Sequence, residues 1–396
     1  YLQVFSHKFL HVSDAKLCRE IMGKRPKVFK RGIALDSMAN KLNYRPFGLF
    51  HADDAQIWGK VKKLTAPAFS KQNLTNMSRI LYDEAIAYVE RLTELSKKDA
   101  DIDMARENSS FTVGVINKVA FGDETVLYFH SEKFYQDVNM TLQVLLEAAL
   151  FPFPEWVWKL TPMYKTEMFA REANERFTVA AQEVIDRQRA LQATMDEEEK
   201  KNLHGLIDIM LRQEDVSDEE IMANVKTFYI AGSDTTSVTI TWAVFLLHQH
   251  PEVVTRLREE AALFFALDLQ NASSAEIGDA ILGLEYAQVV FKEAIRVYPV
   301  GPLQFLDFID KNDSIELSNG LVVEGDRTIL IQMWSSMMDE DVYADAKKFD
   351  PSRWLTEDKA LLARMETSFM GFGSGPRACP GMNLAIREGS LAIAAL

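Results

Sequence analysis

Cysteine is scarce in this 396-residue chain: there are two, Cys18 and Cys379, far apart, and two cysteines make no disulfide framework. A reducing, cytosol-facing compartment is the simplest expectation, and each cysteine then needs its own explanation. Long apolar runs are missing as well. The longest stretch, Val238 to Leu247, is broken by Thr239 and Thr241, and no run reaches the eighteen or more residues that would span a bilayer. Cations are in deficit, with 44 Lys and Arg against 58 Asp and Glu, a formal balance of −14. That balance argues against nucleic acid as a partner, because neutralising phosphate needs a surplus of cations on one face. Internal repeats and low-complexity linkers are absent too. Although 396 residues leave room for about two or three domains, the chain reads as a single unit over 1–396. What remains is 47% apolar and 26% charged, which excludes a disordered, collagen-like or multi-span membrane chain.

The first two thirds read as helices. Ser13 to Gly23 opens on Ser13 as N-cap and stops at glycine. Met77 to Leu95, Phe111 to Phe121 and Phe169 to Ala193 carry apolar residues at helical spacing. The charged run Asp196 to Lys201 is a solvated loop or helix end. One helix stands out, because Ser217 and Glu220 form a capping box and the pattern then continues to about His248, with Pro251 just beyond. Gly232 lies in its middle, where glycine costs about 1 kcal/mol against alanine, so another body must approach closely there. Strand character comes late: Ser314–Leu317 and Leu321–Val323 alternate around Ser318-Asn319-Gly320, a hairpin signal, and Thr328 to Met333 follows. The expected fold class is mainly α with a small β-sheet region.

Chemistry concentrates at Phe372-Gly373-Ser374-Gly375-Pro376-Arg377-Ala378-Cys379-Pro380-Gly381. Glycines and prolines hold Cys379 on a bent loop at the mouth of the helix that follows, where backbone N–H groups and the helix dipole favour a thiolate. A phosphate-cradling loop would need Gly-Lys-Ser/Thr, which is absent. A nucleophilic cysteine would need a marked histidine partner, and an inert buried cysteine remains open if the segment is taken alone. A lone thiolate in a large apolar chain suits the axial position of haem iron better than zinc, which takes three or four protein ligands. Two other pairs stand in helices. Asp234 and Thr235, followed by Thr236, put an acid and a hydroxyl in the middle of the apolar helix, where burial is costly unless they bind water or pass protons. Glu293 and Arg296 sit at i, i+3 on one helix face, and Arg353 stands in the Pro-marked turn Phe349 to Trp354.

In this order the residues resemble the cytochrome P450 family of haem-thiolate monooxygenases. The resemblance rests on Ala231-Gly232-Ser233-Asp234-Thr235-Thr236, on Glu293 to Arg296, on the turn ending Arg353-Trp354, and on Phe372, Gly375, Arg377, Cys379 and Gly381. It extends to Trp58 and to Ala120-Phe121-Gly122, so it covers essentially the whole chain. It implies a cytochrome P450-like fold and haem b (iron protoporphyrin IX) as cofactor. Cys379 would be the metal ligand, pushing electron density into the iron, with Phe372 beside the sulfur. Arg377 and Trp58 would hold haem propionates, Ala231 and Gly232 would leave room above the haem, and Asp234 and Thr235 would relay protons to dioxygen. Glu293, Arg296 and Arg353 would form a structural triad behind the cysteine loop.

The chain departs from the family in three places. Lys62 replaces an arginine four residues after the tryptophan, keeping the charge but losing the fork. Leu306 stands where an arginine commonly meets a propionate, and Met337-Met338 stand where His-Arg is frequent. The resemblance further implies an apolar substrate of the fatty acid, sterol or terpenoid class, dioxygen as co-substrate, and electrons from a separate NADPH-dependent reductase. Lys60, Lys62 and Lys63 make a basic patch on which an acidic reductase would dock. The expected setting is the cytosolic face of the endoplasmic reticulum membrane. Tyr1 is not a methionine and Leu396 falls inside a helical pattern, so the N-terminal anchor and a C-terminal hairpin are expected outside this stretch. Two other functions share the haem thiolate. An isomerase or dehydratase of lipid peroxides typically lacks the acid–alcohol pair found here, and a non-catalytic haem-binding protein would consume no NADPH.

Overall fold

A computed structural model describes all residues except 1, 5, 6, 33–47, 99–100, 123–125, 151–154 and 202. The segment 145–158, whose apolar and aromatic residues suit a substrate channel, core or a membrane-facing surface alike, falls partly outside the described residues. The organising element is the helix Asp218–Gln249, called here the central helix. Its capping box forms as the sequence predicts: Glu220 N donates to Ser217 Oγ at 3.2 Å, and Ser217 N donates to Glu220 Oε2 at 2.8 Å. By length and composition it could cross a bilayer, but here it is a core helix. It packs on Met104–Ile116, Met163–Ala193, Glu285–Val297 and Met382–Ala395. Leu81, Phe121, Ile240, Phe291 and Leu391 are each at most 1% exposed in the shared core, and burying such a side chain stabilises by roughly 1.5–3 kcal/mol.

Local expectations meet corrections of one or two elements. The first helix is Ala15–Gly23, capped by Asp14, whose carboxylate accepts from Leu17 N at 2.9 Å; Ser13 is not the cap. The periodic stretch 111–121 splits into a helix ending at Ile116 and a wider turn over Asn117–Phe121, stopped by Gly122 at φ +63°. The acidic run forms the short helix Glu197–Lys201. Pro251 opens the next helix, Pro251–Phe265.

Among the described residues, seven strands make two sheets. The strands β1 (Leu2–Val4), β2 (His7–Val12), β3 (Phe29–Arg31), β4 (Leu303–Phe308) and β7 (Thr328–Gln332) form one sheet in the order β1-β2-β7-β4-β3. Only the β2–β7 pairing is parallel, with Leu10 opposite Ile329. β5 (Ser314–Glu316) and β6 (Val322–Glu324) form the predicted hairpin, with Gly320 at φ +81° in its turn. The larger sheet has its own core, in which Cys18, Ile21 and Met22 of the first helix pack with Phe29, Leu306, Phe308 and Met370. This places the first helix against the segment leading into Cys379.

Candidate active site

The cysteine loop is rigid for identifiable reasons. Gly373 and Gly375 adopt φ +72° and +70°, which side chains rarely tolerate. Cys379 N donates to Phe372 O at 2.9 Å and Ala378 N to Gly375 O at 3.0 Å. A Cβ at Gly375 would stand 2.7 Å from Met22 O, so glycine also lets the loop lie on the end of the first helix. Arg19 of that helix binds the same region, donating to Glu366 O at 2.8 Å, Phe369 O at 2.9 Å and Ser374 Oγ at 3.1 Å. No sequence signal marked Arg19.

Cys379 itself is exposed although its loop is packed. The N–H groups of Gly381 and Met382 bond its sulfur, as expected from the helix mouth, but burial by surrounding protein outweighs them and raises the thiol pKa. The helix-mouth N–H groups favour the thiolate as the sequence implies, and desolvation by the surrounding loop opposes them. Among the described residues no three of His, Cys, Asp and Glu gather in one place. Cys18 is different. Its thiol donates to Val12 O at 3.4 Å and burial pushes its pKa up to about 12, an inert core cysteine.

In the middle of the central helix, Ala231 and Thr235 are exposed while Ser233, Thr236 and Ser237 are buried. One turn-spaced stripe of the core helix thus faces open space. Phe69 spans from the cysteine loop to this helix, stacking on Phe228 with ring centroids 5.6 Å apart and passing 3.8 Å from the Cβ position of Gly381. Thr235 Oγ1 donates to Ala231 O at 2.7 Å. Asp234 has its pKa raised by burial to about 6. Gly232 answers a different need from the one the resemblance implied. A Cβ there would stand 2.6 Å from Ile116 Cδ1, so its close neighbour is the helix Met104–Ile116.

Trp58 lies on the helix Ala55–Thr65, which Asp54 caps. The Lys62 ammonium sits 4.9 Å and the Arg377 guanidinium 4.8 Å from its ring, both in cation–π range. Lys62 also donates to Pro376 O at 2.9 Å, so the lysine at the arginine position ties this helix to the cysteine loop. Arg377 Nη2 donates to Ala52 O, and its Nε and Nη1 are buried without an acceptor among the described residues. Burial lowers its pKa to about 10, so it stays charged at neutral pH. A buried cation with vacant donors beside a tryptophan, next to an open thiol, fits a flat group that carries carboxylates and a metal, as haem does.

Glu293 gathers its partners completely. Arg296 donates to it twice, at 2.9 and 2.8 Å, Arg353 Nε at 3.0 Å, Trp354 Nε1 at 2.9 Å and Asp350 N at 3.1 Å. Arg296 spends its other donors on the carbonyls of Met337, Ala346 and Lys348. The Met337-Met338 departure therefore lies beside this network, with Met338 Sδ 3.7 Å from Arg296, and its effect falls on the network. The other departure, Leu306, is fully buried in the sheet core opposite Arg31. Lys60 does not offer a free charge, since its ammonium binds Glu220 at 2.9 Å.

A family model described as cytochrome P450 matches residues 1–396. Among curated proteins, the putative cytochrome P450 CYP13A7 of Caenorhabditis elegans is 25% identical, over 96% of this chain and 77% of its own length. The probable cytochrome P450 6a13 of Drosophila melanogaster is 28% identical, over 95% of this chain and 74% of its own. Cytochrome P450 3A40 of Oryzias latipes is 25% identical, over 89% and 70%.

Proposed function

The chain belongs to the cytochrome P450 family, with haem as its cofactor and monooxygenation as its chemistry, and from that footing we propose that it hydroxylates or epoxidises an apolar fatty acid, sterol or terpenoid with electrons from a separate NADPH-dependent reductase. The observation that carries this reading is the open Cys379 thiol on a rigid loop, together with the open Ala231–Thr235 stripe of the central helix. Bound haem supplies dioxygen activation and the insertion of one oxygen atom, the other leaving as water. Cys379 Sγ would hold the iron as a thiolate. Arg377, Trp58 and Lys62 would hold the propionate edge. Asp234, with a pKa near 6, takes up and releases a proton close to neutrality, the condition for a relay. Thr235 gives its own proton to Ala231 O and so keeps its oxygen lone pairs for a donor in the open space. The Glu293–Arg296–Arg353 network fixes the backbone behind the loop.

The direct test is the absorption spectrum of the reduced haem protein under carbon monoxide. A strongly red-shifted Soret band, abolished in Cys379→Ala, is expected; a band typical of a neutral axial ligand in the unaltered protein would overturn the assignment.

For the reductase, Lys62 and Lys63 of the proposed patch are exposed, and Lys62 and Lys60 are already engaged by Pro376 O and Glu220. Lys63→Glu is expected to slow reduction about three- to tenfold at low ionic strength, with the difference closing near 0.5 M salt. Equal rates at low salt would remove the patch from the docking surface. Attachment to the cytosolic face of the endoplasmic reticulum accords with exposed Trp156 and Leu160, 69% and 80% accessible, which suit a membrane surface.

A further inference from the structure

Arg25 belongs to no motif, yet it is 2% exposed, and its Nε and Nη2 have no acceptor among the described residues. A guanidinium remains charged at physiological pH, and burying one without an anion is costly. Its position is specific. Arg25 directly follows the helix that lies on Gly375, close enough to Arg377 for their charges to repel, with Asp53 attracting both. A third cation stands at the same turn: Arg31 donates its backbone N–H to Asp53 Oδ1 at 3.2 Å and lays its guanidinium 3.5 Å from the Phe50 ring. The Arg25 and Arg377 guanidiniums thus share the attraction of one carboxylate, Asp53, which Arg31 meets through its backbone N–H. The haem brings two propionates. Strand register adds a second argument, because Arg31 is directly opposite Leu306, the place where an arginine was expected.

We propose that Arg25 binds a haem propionate, sharing with Arg377 the work that Leu306 cannot do. The inference rests on the haem reading of the site and adds a residue to it. The test is haem loss from the loaded protein to excess apomyoglobin, comparing ordinary haem with haem whose propionates are methyl esters. In the unaltered protein esterification should speed loss strongly. Arg25→Gln should lose ordinary haem about ten- to a hundredfold faster, the range for one charge-assisted hydrogen bond. The ester-to-acid ratio should shrink by the same factor, because the lost bond is the one esterification removes. Arg25→Lys should fall between, keeping charge without the fork. A faster loss with an unchanged ester-to-acid ratio in both variants would make Arg25 structural and overturn the proposal, as would loss rates equal to those of the unaltered protein. Failure of the unaltered protein to retain haem at all would instead strike the haem reading itself.

Discussion

Asp234→Asn is expected to make the protein more stable and a much poorer catalyst. Burial raises the Asp234 pKa from 3.8 to about 6, with no compensating charge. At pH 7 the carboxyl is mostly ionised inside the fold, and the folded state carries that cost. A group whose folded pKa is raised binds its proton more tightly when folded, so stability increases as pH falls from above 6 towards 4 and levels off below both pKa values. Asparagine has nearly the same shape and no charge. Its advantage should be on the order of 2–3 kcal/mol at pH 7.5 and should vanish near pH 4. Denaturant unfolding at those two pH values measures it, and a pH-independent difference would show that the desolvated carboxylate is not the cause. Turnover should move oppositely, falling about 10²- to 10⁴-fold with the loss of a positioned proton donor. The residue is one where fold and function disagree, which is common where a site demands a costly charge.

The second large effect is expected at Glu293. It is fully buried and, among the described residues, is the anion that pairs with both the Arg296 and Arg353 guanidiniums, which are 0% and 9% exposed. Glu293→Gln keeps the shape and three of the geometric contacts at most, while leaving two cations in the interior without a counter-charge. Breaking a buried ion pair from one side costs about 3–5 kcal/mol, a large share of the roughly 5–15 kcal/mol that holds a typical domain. Little folded haem protein should accumulate, and what does should unfold at markedly lower denaturant. Arg353→Lys retains the charge and loses the fork, so its cost should be nearer 1–2 kcal/mol. A Glu293→Gln protein as stable as the parent would mean that the carbonyls of Met337, Ala346 and Lys348 suffice for Arg296.

The features legible in the sequence are those encoded within a turn or two of chain. The Ser217–Glu220 box, the Glu293–Arg296 spacing and the Asn319-Gly320 turn each specify their own geometry locally, and the structure contains all three. The glycine pattern around Cys379 likewise implied a bent loop before any distance was known. What escaped depends on partners brought from far away. β1 to β4 have little periodicity of their own and exist because the N-terminal segment meets residues 303–332. Lys60 read as a free surface charge until Glu220, 160 positions later, took it. Arg19 and Arg25 are ordinary basic residues in sequence, and only the packing of the first helix on Gly375 gives them their roles. Gly232 shows a third kind of gap: the glycine correctly signalled close approach, but glycine does not say which body approaches.

The parallel pairing of β2 with β7 joins residues 9–12 to residues 328–331. During synthesis at about 5–20 residues per second, the first strand therefore waits roughly 15–60 s for its partner to leave the ribosome. The helix that grips the cysteine loop is made just as early, and Cys379 emerges later still. Residues 9–31 thus keep an apolar face uncovered until residues 303–332 arrive, and the haem site can be completed only after Cys379 has followed them.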